Sequence, residues 1–468
     1  MNEFCIGECA VGFDLDHTLV RYKNEELGPL IFDSLVGYLV NKKGYPKQLL
    51  EFGYEEKFVR KGVVFDKHLG NLLLVNDSKQ VVKIFHGTKV VYDITQDENL
   101  NPEGVEEKNE EDTLLLKNVI YPGPINEFDA KAKEFKARDR FHAFLTRFDT
   151  PIISFLARYI DYAEEEEERM SREDLPKHEN KKQKTSRHKY DELFADLIES
   201  FIYTFSNYHD QQGDYFPAVK KNPKKYVDER NDVKEWIKML RKKGIPTFLV
   251  TNSFYGYANL LLLAVFGEDW NQLFDLTIMD AKKPKFFKNK NPFKTVDLKN
   301  EVEEDTLAST LELGGIYCQG NSIQLEEFFH EKFPKSKPLK FLYFGDNLLT
   351  DVMAIKLSTP WIPVAVIEEI EQEAQKKNST RKPDDYLSGT QQQKTENGKI
   401  AQKKDEGMAF SPSIFYYNPT NPSYWNKFIR LHSALSVADL ESILHIPLDQ
   451  TFYYDFQKMC SFLPELEN

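Results

Sequence analysis

The sequence predicts an α/β fold with a mostly parallel sheet, a large inserted α+β region and a C-terminal extension. Four short apolar stretches are typical of buried parallel strands, and each ends in polar side chains. About 230 residues separate the first stretch from the second, far more than one crossover needs, so an inserted region is expected there. The stretches are Cys9–Phe13, Gly244–Val250, Leu273–Met279 and Leu339–Phe344.

The first of these stretches delivers two carboxylates, Asp14 and Asp16, to one end of a strand. Two charges one residue apart beside a core are costly unless they are paired. A divalent cation offsets this cost, and Mg²⁺ prefers carboxylate oxygens together with waters and a substrate phosphate. The pattern therefore predicts a Mg²⁺ site that acts on a phosphate ester.

The other three strand ends supply groups that suit the same chemistry. Thr251, Asn252 and Ser253 can bind phosphate oxygens, and Lys283 offers a positive charge to a phosphoryl group. Gly345 permits a tight turn before the acidic pair Asp346 and Asp351. Each has a simpler interpretation in isolation, as a helix cap or a solvated lysine. Because ligands bind at the carboxyl ends of parallel strands, the four together predict one site.

The order of these motifs resembles the haloacid-dehalogenase-like phosphohydrolases. Further stretches resemble the 5′(3′)-deoxyribonucleotidase and cytosolic purine 5′-nucleotidase family within that superfamily. The resemblance extends from about residue 10 to about residue 370 and implies a three-layer Rossmann-like core. The stretches that carry it are Gly12–Leu19, Gly62–Leu73, His86–Lys89, Lys282–Phe287 and Gly314–Asn321.

The resemblance implies a role for each site residue. Asp14 is similar to the nucleophile that forms an aspartyl-phosphate and is also a metal ligand. Asp16 is similar to the general acid and base, with its backbone carbonyl on Mg²⁺, and Lys283 is similar to the family's catalytic lysine. The acidic pair at 346 and 351 is similar to the remaining metal site, and Thr251 and Asn252 are similar to the phosphate-binding motif.

One departure from the purine-specific members concerns the nucleoside pocket. Where those enzymes have a Phe-Asn pair in the nucleoside pocket, this chain has Phe148-Asp149. We expect both residues to contact the substrate, with the anionic Asp149 accepting hydrogen bonds where an amide also donates. This difference leaves open a phosphatase for a non-nucleotide ester. A binding or regulatory protein with little turnover is a second alternative, which the complete set of site residues disfavours.

The composition of the chain limits the classes of partner and the cellular compartment that we expect. The chain has 468 residues, 41% of them hydrophobic, and a formal net charge of −13, which disfavours nucleic-acid polymers as partners. Its four cysteines form no disulfide or zinc pattern, which indicates a reducing compartment. The sequence suggests neither a signal peptide nor a membrane span, so we expect a cytoplasmic protein. We expect its partner to be a small-molecule phosphate ester, and the family resemblance suggests self-association as a homo-oligomer.

The expected organisation has five segments. Residues 1–30 and 226–371 form the two parts of the core, and residues 31–225 form the inserted cap. Within that cap, 62–85 is predicted to be rich in strands, whereas 141–162 and 190–205 show helical spacing. Residues 372–407 have almost no large apolar side chains and are predicted to be a disordered insertion, followed by a C-terminal extension, 408–468, that packs on the core.

The expected function follows from these observations together. It is Mg²⁺-dependent hydrolysis of a phosphate monoester, with a nucleoside 5′-monophosphate as the expected substrate. In this interpretation Asp14 attacks phosphorus while Mg²⁺ and Lys283 offset the charge on the phosphoryl group. Asp16 protonates the leaving oxygen and then activates a water.

Overall fold

The computed structural model describes residues 2–56, 59–93, 140–172, 189–206, 208, 213–335, 338–369 and 423–454. The predicted insertion, 372–407, and parts of the predicted C-terminal extension, 408–468, therefore lie outside the described residues. Within the described ranges, the chain forms a mixed α/β structure with a nine-stranded sheet, a five-stranded sheet and a two-stranded ribbon.

The large sheet confirms the predicted α/β fold. Seven of its neighbouring strands run parallel, and an antiparallel hairpin completes one edge. In spatial order the strands are β11 (Val302–Leu307), β10 (Phe293–Asp297), β12 (Gly315–Gln319), β9 (Leu276–Met279), β8 (Thr247–Val250), β2 (Cys9–Phe13), β13 (Lys340–Gly345), β14 (Ile362–Val366) and β15 (Leu435–Val437).

The four strands predicted from the sequence are immediate neighbours in this sheet, in the order β9, β8, β2, β13. All five residues of β2 are buried. Val11 and Phe13 face one apolar cluster, whereas Ala10 faces another, so β2 is covered on both sides. Gly12 is required there because a Cβ atom would lie 2.2 Å from the ring of Phe248.

Helices cover both faces of the large sheet, which is compatible with the predicted Rossmann-like arrangement. No described helix combines the length and the apolar character that a membrane crossing requires. In chain order the helices are α1 (Asn24–Lys43), α2 (Thr150–Arg172), α3 (Lys189–Ser206), α4 (Tyr215–Lys221), α5 (Pro223–Tyr226), α6 (Asn231–Lys242), α7 (Tyr255–Phe266), α8 (Lys285–Lys288), α9 (Ser322–Lys332), α10 (Ala354–Ser358) and α11 (Tyr424–His432).

Between β2 and β8 the chain builds a second, antiparallel sheet. Phe65 belongs to a cluster that contains residues of α2 and α3, whereas Val64 belongs to a cluster that contains Trp425 of α11. The indole of Trp425 also donates a hydrogen bond to the carbonyl oxygen of Gly62 at 2.8 Å. In spatial order its strands are β6 (Lys89–Asp93), β5 (Val81–His86), β4 (Asn71–Val75), β3 (Val64–Asp66) and β7 (Phe141–Ala143).

The structure corrects the helix predicted over 141–162. Its first residues form β7, which pairs with β3, and helix α2 begins only at Thr150. The apolar spacing failed here because pairing with a distant strand decides the conformation of so short a segment. Two expected segment boundaries, 30/31 and 225/226, also fall inside helices, namely α1 and α5.

The C-terminal part of the described chain joins the large sheet. Residues 435–437 form β15, which pairs in parallel with β14. The last described strand, β16 (Phe452–Tyr454), pairs with β1 (Asn2–Phe4) near the other end of the chain. This pairing places the two ends of the described chain side by side.

Candidate active site

Three buried carboxylates meet at the carboxyl edge of the parallel sheet. Asp14 follows β2, and Asp346 follows β13. Asp351 lies in the π-helical turn Leu348–Met353 that follows β13. One oxygen from each carboxylate lies within 4.8 Å of the other two, and all three side chains are buried. The sheet thus brings together residues more than 330 positions apart in the sequence.

Lys283 bridges two of these carboxylates. Its Nζ lies 2.7 Å from Oδ1 of Asp14 and 2.7 Å from Oδ1 of Asp351. The ammonium group also donates to the hydroxyl of Tyr343 at 3.2 Å, and that hydroxyl donates to the carbonyl oxygen of Val250 at 2.7 Å. The lysine is therefore held from several sides beside the predicted nucleophile.

The electrostatics of this cluster suit a divalent cation. Burial raises the pKa of Asp346 well above its ordinary value, and the neighbouring carboxylates raise it further. Burial also raises the pKa of Asp351 to about 7, although Lys283 opposes the shift. Although burial alone would lower it, the pKa of Lys283 lies well above its ordinary value because of Asp14 and Asp351. Three carboxylates with one lysine leave excess negative charge, which a bound Mg²⁺ offsets, so these residues fit the metal.

Asp16 lies outside that carboxylate cluster. Its Oδ1 accepts a hydrogen bond from the hydroxyl of Tyr22 at 2.6 Å, and its Oδ2 accepts one from Oγ of Ser253 at 2.6 Å. Burial raises the pKa of Asp16, and the negative charge of Asp14 raises it further. A raised pKa favours the protonated form that a general acid requires.

The polar side chains of Thr251 and Asn252, which follow β8, form hydrogen bonds with the backbone of the protein itself. Oγ1 of Thr251 accepts the backbone N–H of Ser253 at 3.0 Å, and its hydroxyl can still donate a proton. Asn252 binds the backbone of Lys283 twice: its Oδ1 accepts the N–H at 2.6 Å, and its Nδ2 donates to the carbonyl at 3.2 Å. The amide of Asn252 therefore positions the lysine segment.

Phe148 and Asp149 occupy different environments. The ring of Phe148 lies 4.9 Å from that of His17 and 5.4 Å from that of Tyr22, so it borders the first motif. Oδ2 of Asp149 instead accepts the backbone N–H groups of Leu145 and Thr146 at 3.0 and 3.1 Å. The described hydrogen bonds of Asp149 thus belong to its own turn, and the substrate contact expected from the sequence stays a prediction.

A buried ion network that sequence analysis missed borders the carboxylates. Nζ of Lys61 lies 3.2 Å from Oε2 of Glu369, whose Oε1 lies 3.2 Å from the guanidinium of Arg147. Burial raises the pKa of Asp346, and the positive charge of Lys61 opposes that rise. The available signal was the position of Glu369, which closely follows the apolar strand β14, as the site residues follow theirs.

Gly345 explains how close the two acidic residues of the last motif approach. A Cβ atom at this position would lie 2.5 Å from Cβ of Asp351. Distances under about 3 Å between such atoms force one of them to move. The glycine predicted for a tight turn therefore also leaves room for Asp351.

The chain is similar to several known proteins along most of its length. The chain is 29% identical to human 5′-nucleotidase domain-containing protein 1 over 467 residues, which cover 96% of this chain and 93% of that protein. Its identity to the bovine (Bos taurus) protein of the same name is also 29%, over 463 residues, with the same coverage. Human 5′-nucleotidase domain-containing protein 2 is 23% identical over 482 residues, which cover 97% of this chain and 82% of that protein. The profile of the 5′ nucleotidase family matches residues 9–414, so the chain belongs to the 5′ nucleotidase family.

Proposed function

We propose that this protein is a Mg²⁺-dependent 5′-nucleotidase of the haloacid-dehalogenase type, which hydrolyses a nucleoside 5′-monophosphate through an aspartyl-phosphate. The observation that carries the proposal is the meeting of Asp14, Asp346, Asp351 and Lys283 at one edge of the parallel sheet. Membership of the 5′ nucleotidase family supports a nucleotide as the substrate.

The first step is attack on phosphorus by a carboxylate oxygen of Asp14. An Asp14–phosphorus bond forms while the bond from phosphorus to the 5′-oxygen breaks, and Asp16 gives its proton to that oxygen. Lys283 lies 2.7 Å from Asp14, where its charge faces both the nucleophile and the phosphoryl group. The products of this step are the free nucleoside and the aspartyl-phosphate.

The second step returns Asp14 to its free form. Asp16, now a carboxylate, accepts a proton from a water whose oxygen attacks the phosphorus. The bond between phosphorus and Asp14 breaks, and inorganic phosphate is released. Thr251, whose hydroxyl can donate, lies at the end of β8 beside β2, where it suits a phosphate oxygen.

The residues that would hold Mg²⁺ are Asp14, Asp346 and Asp351, with the backbone carbonyl of Asp16 as a further ligand suggested by the family resemblance. The bound ion supplies a positive charge that stabilises the phosphoryl group during transfer. In its absence Lys283, with its raised pKa, keeps one positive charge between Asp14 and Asp351.

The test is a panel of phosphate monoesters with purified protein, with and without Mg²⁺. We expect release of phosphate from nucleoside 5′-monophosphates that depends on Mg²⁺. Asp14→Asn keeps the shape of the side chain but removes the attacking anion, so turnover should fall at least about a thousandfold while the protein still folds. Asp305→Asn is the matched control, since Asp305 is a surface carboxylate with 95% side-chain exposure. Turnover of Asp14→Asn within a few-fold of the parent would contradict the mechanism.

A further inference from the structure

Both oxygens of the Asp16 carboxyl group are occupied by neutral hydroxyl donors. Tyr22 donates to Oδ1 and Ser253 donates to Oδ2, each at 2.6 Å. The two donors come from separate parts of the chain, 6 and 237 residues from Asp16. With one donor on each oxygen, the plane of the carboxyl group is fixed.

Tyr22 is itself held firmly. Its hydroxyl lies 3.3 Å from that of Tyr257 on α7, which lies 2.8 Å from the hydroxyl of Tyr215 on α4. All three tyrosines are buried. The ring of Tyr22 also packs against the ring of His17 at 4.9 Å. A buried tyrosine with these contacts presents its hydroxyl in one place.

We propose that Tyr22 and Ser253 are positioning residues, which hold the carboxyl group of Asp16 in the orientation needed to give a proton to the leaving oxygen. This inference rests on the proposed function. It also reassigns Ser253, which the sequence placed among the phosphate ligands, because its hydroxyl proton is directed to Asp16.

The arrangement leaves Asp16 able to carry and give a proton. Each carboxyl oxygen has two lone pairs, so an oxygen that accepts from a hydroxyl can still carry a proton. The proton that Asp16 gives passes to the leaving oxygen as that oxygen separates from phosphorus. The hydroxyls of Tyr22 and Ser253 keep their own protons throughout this transfer.

Removing either hydroxyl should therefore slow the reaction of substrates whose leaving group needs a proton. An alcohol, such as the 5′-oxygen of a nucleoside, leaves poorly without protonation, whereas p-nitrophenolate leaves without it. The value of kcat/KM depends on the steps up to the departure of the leaving group and does not depend on the later attack of water. Comparing kcat/KM for the two substrates isolates the acid role of Asp16.

The experiment measures kcat/KM of the parent, Tyr22→Phe and Ser253→Ala on a nucleoside 5′-monophosphate and on p-nitrophenyl phosphate, with Mg²⁺ present. Misorientation of an acid costs about 10- to 100-fold, so we expect that loss on the nucleotide and less than about threefold on the aryl ester. Ser253→Thr, which keeps a hydroxyl, should recover most of the nucleotide activity. Tyr45→Phe is the matched control. The hydroxyl of Tyr45 donates a 2.9 Å hydrogen bond to Asp196, which does not belong to this site.

Several results would overturn the inference. Equal losses on both substrates would mean that the hydroxyls act on phosphate binding or on folding, and no loss would mean that they do not position Asp16. Thermal unfolding of each variant distinguishes a folding defect from a catalytic one. If Tyr22→Phe does not fold, the comparison of the two substrates with Ser253→Ala decides the outcome. A parent protein inactive on both substrates would overturn the proposed function, and this inference with it. A parent active on both, with equal losses in the variants, overturns this inference alone.

Discussion

Replacing Asp149 with asparagine tests where this carboxylate acts. Its Oδ2 accepts two backbone N–H groups of its own turn, from Leu145 and Thr146, just before α2 begins at Thr150. Burial raises the pKa of Asp149 from 3.8 to about 6, although those hydrogen bonds oppose the shift. At neutral pH this side chain is still mostly charged, but its charge is less stable in the folded protein than in the unfolded chain.

The size and the sign of the effect follow from that shift. An acid whose pKa is raised on folding binds more protons in the folded state, so its contribution to stability falls as pH rises from about 4 to about 6. The full shift corresponds to at most about 3 kcal/mol, and because Asp149 is partly exposed we expect about 1 kcal/mol. Asparagine keeps the accepting oxygen without the charge. Asp149→Asn should therefore raise the free energy of unfolding by about that amount near pH 7.5.

Urea unfolding of the parent and of Asp149→Asn at pH 4.5 and pH 7.5 measures this difference. We expect the gain at pH 7.5 to shrink by more than half at pH 4.5, because the parent side chain is then largely protonated in the folded state. The ranking of nucleoside monophosphates as substrates should stay unchanged. A variant that is less stable at pH 7.5 would refute the reasoning about the charge. One that reorders the substrates would indicate that Asp149 contacts the substrate.

Three further predictions concern the metal site, the last motif and the segment after residue 371. Asp346→Asn removes one of the three clustered carboxylates, so the Mg²⁺ concentration for half-maximal activity should rise at least about tenfold in a metal titration. An unchanged Mg²⁺ requirement would exclude Asp346 as a ligand. Gly345→Ala places a Cβ atom 2.5 Å from that of Asp351, so kcat should fall about 10- to 100-fold, and a parent-like kcat would show that Asp351 shifts without consequence. Deleting 372–407 with a short linker should change the melting temperature and activity little, because its composition buries little apolar surface, and a large loss of either would show that it packs on the core.

The strands of the core could be predicted from the sequence because each buried strand is a short, continuous run of apolar residues. A strand covered on both faces has a continuous apolar run, and β2, β8, β9 and β13 all have one. Since their carboxyl ends share one edge, the sequence also predicted that Asp14 would meet residues of the other motifs. Phe141–Ala143 shows the limit of such patterns, since three residues of apolar spacing do not distinguish a strand from a helix.

By itself, the sequence determined the class of fold, the strand ends that carry polar groups and the carboxylates and lysine that could act on phosphate. Only the tertiary structure decided which atoms these groups contact: Ser253 donates to Asp16, and Asn252 binds the backbone of Lys283. It also paired Lys61 with Glu369, more than 300 positions away in the chain, at 3.2 Å. The physical reason is that a hydrogen bond or an ion pair depends on distances of a few ångströms between segments that are far apart in the chain. Those distances are set by the packing of the whole core, which a local pattern of residues does not record.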